Sequence, residues 1–209
     1  KAWPICTTRE GSPSFADATE EARMALIDDL QDKKTEIYKG IVSEVAEPRP
    51  GVLELMDAAI ATPGLAVGIC SAATRGGFDK VVDALVGQDR LAKLDVIIAG
   101  DDVTAKKPDP MIYDLARERL GISDPRRCVV IEDSMVGLRA AKGANMRCLI
   151  TYTDSTSEED FYGFGADAKV PDLGVGVTVE GLFGPIMADE SAVLLEGLRD
   201  PITVVLNLS

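Results

Sequence analysis

After the segment Glu-Pro-Arg-Pro-Gly at 47–51, the chain alternates apolar runs of strand length with amphipathic stretches of helical period, joined by short connections. This alternation constrains the fold more than any other feature. Parallel strands need crossover connections, and helices used as crossovers cover both sheet faces, so the strands become apolar on both sides. The runs at 65–70, 95–99, 127–132 and 146–151 are expected to be such strands, with a last edge strand near 168–170. Helices are expected at 51–61, at 75–87 with Phe78, Val82 and Leu85 on one face, from Asp109-Pro110 to a stop at Gly121, and at 135–144. Asp109 suits an N-cap with Pro110 at the first helical position, and Ser134 suits the cap of the following helix. The expected fold class is α/β, a doubly wound parallel sheet.

Upstream, Leu26, Ile27, Leu30, Ile37, Tyr38, Ile41 and Val45 recur at steps of three and four. They predict one long amphipathic helix over about 17–45, or two with a break near Lys33. The two prolines and the glycine of 47–51 end that helix and mark a hinge, so residues 1–46 are read as a unit apart from 47–185. Beyond Asp154 the pattern weakens. A short acidic helix is expected before the edge strand, a brief helical turn at 179–183, an amphipathic segment at 188–198 and a β-prone run, Ile-Thr-Val-Val-Leu-Asn-Leu, at 202–208. Residues 186–209 receive no functional reading.

Thirty-five acidic residues against 22 basic ones give a net charge of −13, which argues against nucleic acid or anionic lipid as partners, since both are held by clustered Lys and Arg. No apolar run approaches a membrane span, so a soluble protein is expected. The chain has no histidine, which removes His-based triads and His metal ligands. Chemistry is left to carboxylates, lysine and hydroxyls. Cys70, Cys128 and Cys148 sit in or beside apolar runs without Cys-x-x-Cys spacing and are read as reduced core thiols.

Ligands of open parallel sheets bind at the carboxyl ends of the strands, where loops and helix N-termini offer N–H groups to anions. Ser71, Lys107, Glu132 and Asp133 all fall at such ends. Singly, each has an ordinary structural reading: a strand-closing serine, a solvated loop lysine, an acidic helix start. Together, in order along one sheet edge, they match what phosphoryl transfer requires, namely a hydroxyl donor, a fixed cation and hard oxygen ligands for Mg²⁺. Ser71 and the N–H of Ala72 would take two phosphoryl oxygens and Lys107 a third, with Glu132 and Asp133 on the metal. Cys70 is set aside as a nucleophile, because strand alternation turns it from Ser71 and no base adjoins it. Tyr152 and Asp154 follow another strand end but carry no signal beyond that of loop residues.

The order Cys-Ser-Ala (70–72), Lys-Lys-Pro-Asp-Pro (106–110) and Val-Val-Ile-Glu-Asp-Ser (129–134), with a helical segment and Pro-Arg-Pro-Gly-Val (48–52) upstream, resembles the haloacid-dehalogenase superfamily of Mg²⁺-dependent phosphatases. Within it the run from about Trp3 to Phe183 looks most like the CbbY-type phosphatases, which act on the sugar bisphosphate xylulose 1,5-bisphosphate. The resemblance implies Ser71 as the second-motif phosphate hydroxyl, Lys107 as the third-motif lysine, and Glu132 with Asp133 as fourth-motif metal ligands. Arg75 stands where relatives often carry a polar residue for a distal phosphate, and is expected to substitute by charge. A chloroplast, or the cytosol of a phototroph, is implied as the compartment.

The family's first motif is an Asp-x-Asp that supplies the attacking aspartate, and no Asp-x-Asp occurs in this chain. The expectation is therefore a part of a longer phosphatase: residues 1–46 the remnant of a helical cap, 47–185 a core lacking its first-motif strand. Loss of that strand is expected to expose its neighbours, at about 25 cal/mol per Å² of apolar area. The alternative is a catalytically inactive domain that binds phosphorylated metabolites or a protein partner. A receiver-like domain with Asp133 as phosphoacceptor is disfavoured, since receivers cluster acids on their first strand.

Overall fold

Successive strand residues face opposite sides of a sheet, and here both sides are apolar. In the computed structural model, which describes residues 47–184 and 202–206 and part of the stretch 19–33, this builds two cores on one sheet. The strands are β1 (Leu65–Cys70), β2 (Val96–Ile98), β3 (Cys128–Glu132), β4 (Arg147–Thr151), β5 (Ala168–Val170) and β6 (Ile202–Leu206). Their order is β2-β1-β6-β3-β4-β5, and every pairing is parallel.

The helices are α1 (Val52–Ala61), α2 (Arg75–Leu85), the short α3 (Gln88–Leu91), α4 (Met111–Arg119) and α5 (Met135–Gly143). On one face, Ile112, Tyr113 and Ala116 of α4 and Leu138, Ala140 and Ala141 of α5 pack with Cys70, Val130, Cys148 and Ile150. On the other, Leu55, Met56 and Ala59 of α1, Phe78 and Val82 of α2 and Phe183 pack with Val67, Ile69, Val129, Ile131 and Leu149. The sheet is doubly wound, as the alternation of runs requires. Glu132 follows Val130 by two residues and so belongs to the α4–α5 side.

Local signals were accurate where a side chain caps its own helix. Ser134 accepts from the Gly137 N–H at 3.1 Å, and Asp109 accepts from Met111 N–H at 2.9 Å, although α4 starts one residue later than the proline suggests. The helix expected over 75–87 ends at Leu85, just before the foreseen stop at Gly87, whose φ of 83° suits glycine, and the short α3 follows. The acidic stretch after Asp154 forms successive turns, not a helix; Gly163 and Gly165 interrupt it. A helical turn does occupy 179–184. Between Glu20 and Lys33 every described residue is helical, with Leu26 and Leu30 exposed. The expectations for 1–18, for the helix beyond Lys33 and for the segment 188–198 lie outside the described residues. No helix among the described residues is long and apolar enough to cross a membrane.

The expected gap in the sheet does not exist. Segment 202–206 lies between β1 and β3 in parallel register, Leu206 pairing with Ile69 on one side and Ile131 on the other. The neighbours' backbone groups are thereby paired and the sheet is continuous, so the cost foreseen for exposed strands does not arise. The β-prone composition of this run signals a strand, but only the fold shows its place as a central one. We predict that Val204→Pro, which deletes a ladder N–H in a strand bonded on both sides, destabilises the protein by about 1–3 kcal/mol or more. Denaturant unfolding followed by circular dichroism measures this, and an unchanged midpoint would contradict the central placement.

Candidate phosphate and metal site

β3 ends on Glu132, whose alternation aims it into the core side of the sheet, and the side chain is fully buried. An ionised carboxylate there is tolerated only with compensating partners. Lys107 supplies one: its Nζ lies 2.6 Å from Glu132 Oε1, and the lysine side chain is 6% exposed. The Tyr113 hydroxyl from α4 donates to the same oxygen, and Oε2 lies 3.3 Å from both the Asp133 N–H and the Ser134 hydroxyl. Lys107 Nζ also sits 4.8 Å from the centroid of the Tyr113 ring, a cation–π distance. Burial first, then the charge of Glu132, holds the Tyr113 phenol well above its ordinary pKa, so it remains a donor.

This carboxylate lies against the first turn of α5, and Gly137 makes room for it. A Cβ at Gly137 would come 1.9 Å from Glu132 Cδ, and the buried, doubly held carboxylate has nowhere to move. Asp133, half-buried beside it, points to a different environment. Desolvation, then the charge of Glu132, raises its pKa, while Arg49 and Lys107 oppose the rise. Two adjacent carboxylates, of which the outer is under-compensated by protein cations, fit a divalent metal with Asp133 as principal ligand. Among the described residues no group of three acidic, Cys or His side chains forms a closed metal cage.

Two strand spacings from Glu132, roughly 10 Å across the sheet, β1 ends at Ser71. Its side chain is buried, its N–H donates to Ile98 O at 2.9 Å, and its Oγ accepts from Ala73 N–H at 3.2 Å. With one lone pair used, the hydroxyl proton is left to donate. Ala72 is exposed at the start of the loop. Gly100, after β2, clamps that loop. Its N–H donates to Ala73 O at 2.7 Å, and a Cβ there would lie 2.3 Å from Ala72 O. Lys106 donates to Gly100 O, so the paired lysines have separate jobs: Lys106 ties two loops together and Lys107 reaches the acidic pair. The space between Ser71 and Glu132 lies over the carboxyl end of β6, whose five residues carry no carboxylate.

Arg75 is placed elsewhere than expected. Its guanidinium pairs with Asp102 and its N–H donates to Asp101 at 2.9 Å, which commits the side chain to the β2 side and away from a phosphate role. The charge that suggested an anion partner is already neutralised. Tyr152 and Asp154 do not join the pair; Tyr152 lends its carbonyl to Arg49. Arg49 was overlooked within the hinge. Its guanidinium donates to Thr151 O, Thr151 Oγ1, Tyr152 O and Pro171 O at 2.7–2.9 Å, fastening the hinge to the carboxyl end of β4. Tyr113 and Gly137 were also passed over. The helical spacing of Tyr113 marks it as core, and only tertiary contact shows its hydroxyl on Glu132.

The chain and its fold have counterparts among known proteins. A model of the haloacid dehalogenase-like hydrolase family matches residues 7–145, and the chain belongs to that family. Among its relatives is a haloacid dehalogenase-like hydrolase domain-containing protein of Arabidopsis thaliana, 47% identical over 82% of this chain and 52% of that one. A CBBY-like protein of the same plant is 43% identical over 72% of this chain and 47% of its own length. The chain thus spans about half the length of these relatives. The solved CbbY of Rhodobacter sphaeroides in complex with phosphate superposes with a TM-score of 0.66 at 34% identity, covering 75% of this chain and 68% of that one. A mutant of the same protein in complex with xylulose-(1,5)bisphosphate gives 0.67. The superfamily read from the three motifs, and the resemblance to its CbbY-type members read from the whole run of about Trp3 to Phe183, are borne out.

Two outcomes are expected. Gly137→Ala should displace the Glu132 carboxylate and destabilise the protein by about 1–3 kcal/mol, the usual cost of overpacking, as read by thermal or denaturant melting. The thiols give a second check. Burial raises Cys70 and Cys128 from 9.0 to about 12 and raises Cys148 further. Because the folded values lie above the unfolded one, the thiols favour the native state below pH 9 and progressively less as pH climbs from 9 towards 12. At pH 8 these three cysteines should resist a thiol reagent in the native protein and react on unfolding.

Proposed function

We propose that this site is the phosphate- and Mg²⁺-binding part of a phosphohydrolase for a small phosphorylated sugar, a sugar bisphosphate being the favoured class. The buried Lys107–Glu132 pair beside Asp133 carries the reading. Lys107 spends one of its three N–H donors on Glu132 and keeps the others for phosphoryl oxygens. The Ser71 hydroxyl and the Ala72 N–H approach from the facing strand end. Mg²⁺, when bound through Asp133 with Glu132 in support, supplies neutralisation of phosphoryl charge. Turnover through an aspartyl-phosphate requires an attacking aspartate, which this chain does not carry in Asp-x-Asp form. The CbbY complex with xylulose-(1,5)bisphosphate supports the substrate class. An Arabidopsis relative named as chloroplastic, 38% identical over half of this chain and a tenth of its own length, supports a chloroplast as the compartment.

One observation favours a second reading for the chain taken alone. The central strand beneath the site is Ile202–Leu206, with no acidic side chain, which suits binding of phosphorylated metabolites without turnover. Titration calorimetry with orthophosphate, and with xylulose 1,5-bisphosphate, in Mg²⁺ tests the site. Binding is expected, and Ser71→Ala, which leaves the buried pair intact, should weaken it by about tenfold, roughly one charge-assisted hydrogen bond. Lys107→Ala should abolish binding and cost about 3–5 kcal/mol of stability by removing the cation paired with the buried Glu132 carboxylate. Absence of binding by the unmodified chain would overturn the assignment. Phosphate release by this chain at enzymatic rates would instead overturn the role given to an Asp-x-Asp aspartate.

A further inference from the structure

Tyr113 is buried on α4, four residues beyond Asp109, and touches both charged members of the pair. Its hydroxyl donates to Glu132 Oε1, the oxygen that also receives Lys107 Nζ at 2.6 Å, and its ring lies 4.8 Å from the same ammonium. A phenylalanine would fill the same core volume and offer the same ring face, so packing alone does not call for the hydroxyl. What the hydroxyl adds is a second fixed donor on Glu132. What the ring adds is a polarisable wall that limits where the ammonium can sit.

The consequences reach both halves of the site. Glu132 is fixed at Oε1 by two donors on the α4 side, so its Oε2 edge faces Asp133 N–H and the Ser134 hydroxyl, at 3.3 Å each. Lys107, held against ring and carboxylate, has its remaining N–H donors confined to the directions left over. Carboxylate and ammonium are thereby oriented by one side chain that is too deep to meet substrate.

We propose that Tyr113 is a positioning residue of this site, its hydroxyl orienting Glu132 towards the metal side and its ring orienting Lys107 towards the phosphate side. The proposal rests on the phosphate and Mg²⁺ reading above and divides Tyr113 into two separable parts. Tyr113→Phe removes only the hydroxyl; Tyr113→Leu removes hydroxyl and ring. Orthophosphate affinity is measured by calorimetry for each variant with and without Mg²⁺, after circular dichroism shows the variants folded. Ile112→Val, a buried apolar change on the same helix that alters no hydrogen-bonding side chain, is the control.

Tyr113→Phe is expected to lower Mg²⁺-dependent orthophosphate affinity by at least about tenfold, the effect of one hydrogen bond to a charged group, with little change when Mg²⁺ is absent. Tyr113→Leu should lower affinity under both conditions, and Ile112→Val under neither. A general loss of packing would not divide in this way. If the unmodified protein binds and Tyr113→Phe binds equally well in Mg²⁺, the positioning role is overturned and the site reading stands. If the unmodified protein does not bind orthophosphate with Mg²⁺, both fall.

Discussion

A carboxylate buried at the end of a strand is the constraint around which the rest of this site is organised. A carboxyl group in an apolar layer needs donors, and the structure supplies Glu132 with them from three directions: Lys107 from the loop after β2, Tyr113 from α4, and Asp133 and Ser134 from the turn leading into α5. Each donor fixes an element. Lys107 pins its loop over the sheet edge, Tyr113 sets the depth of α4, and Gly137 brings α5 close enough that no side chain could intervene. The pair is a poor source of net stability by comparison with apolar packing, but it forces three separate chain segments into one arrangement. That arrangement leaves Asp133 outside the buried pair, half-buried and with its pKa raised by desolvation and by the charge of Glu132.

The second constraint is the completeness of the sheet. β1 and β3 each carry one half of the site, and they are held at a fixed separation by β6 between them. Their spacing is a backbone property, two ladder widths, and does not depend on any site residue. The strand that sets it comes from residues 202–206, far from either neighbour in sequence. It brings register and hydrogen bonds to the centre of the fold without bringing an acidic side chain. Scaffold and chemistry are therefore separable here: the backbone at the centre of the sheet is complete while the strand that completes it is, by sequence, free of carboxylates.

Much of this was legible in the residues because the signals are local. Apolar runs of strand length marked β1 to β4, an edge strand was expected where β5 lies, and side-chain caps marked the starts of α4 and α5 within a residue. The motif residues Ser71, Lys107, Glu132 and Asp133 stood out because each breaks an apolar run at its end. Less legible were residues whose roles depend on distant partners. Arg75 looked available by charge, yet Asp102 claims it. Arg49 looked like part of a hinge, yet it reaches carbonyls about a hundred residues away. Turns replaced a helix after Asp154 because glycines weaken helical propensity that the acidic composition had suggested.

The sequence by itself determined the α/β class, the two-faced sheet and the order of the candidate site residues along the strand ends, since periodicity, caps and strand-end polar residues are written in neighbouring positions. The tertiary structure alone decided that residues 202–206 form the central strand, that Glu132 is a caged acid partnered by Tyr113 and Lys107, and that Arg75 faces away. The physical reason is that burial and backbone pairing between distant segments depend on which surfaces meet, and no spacing along a chain specifies that meeting.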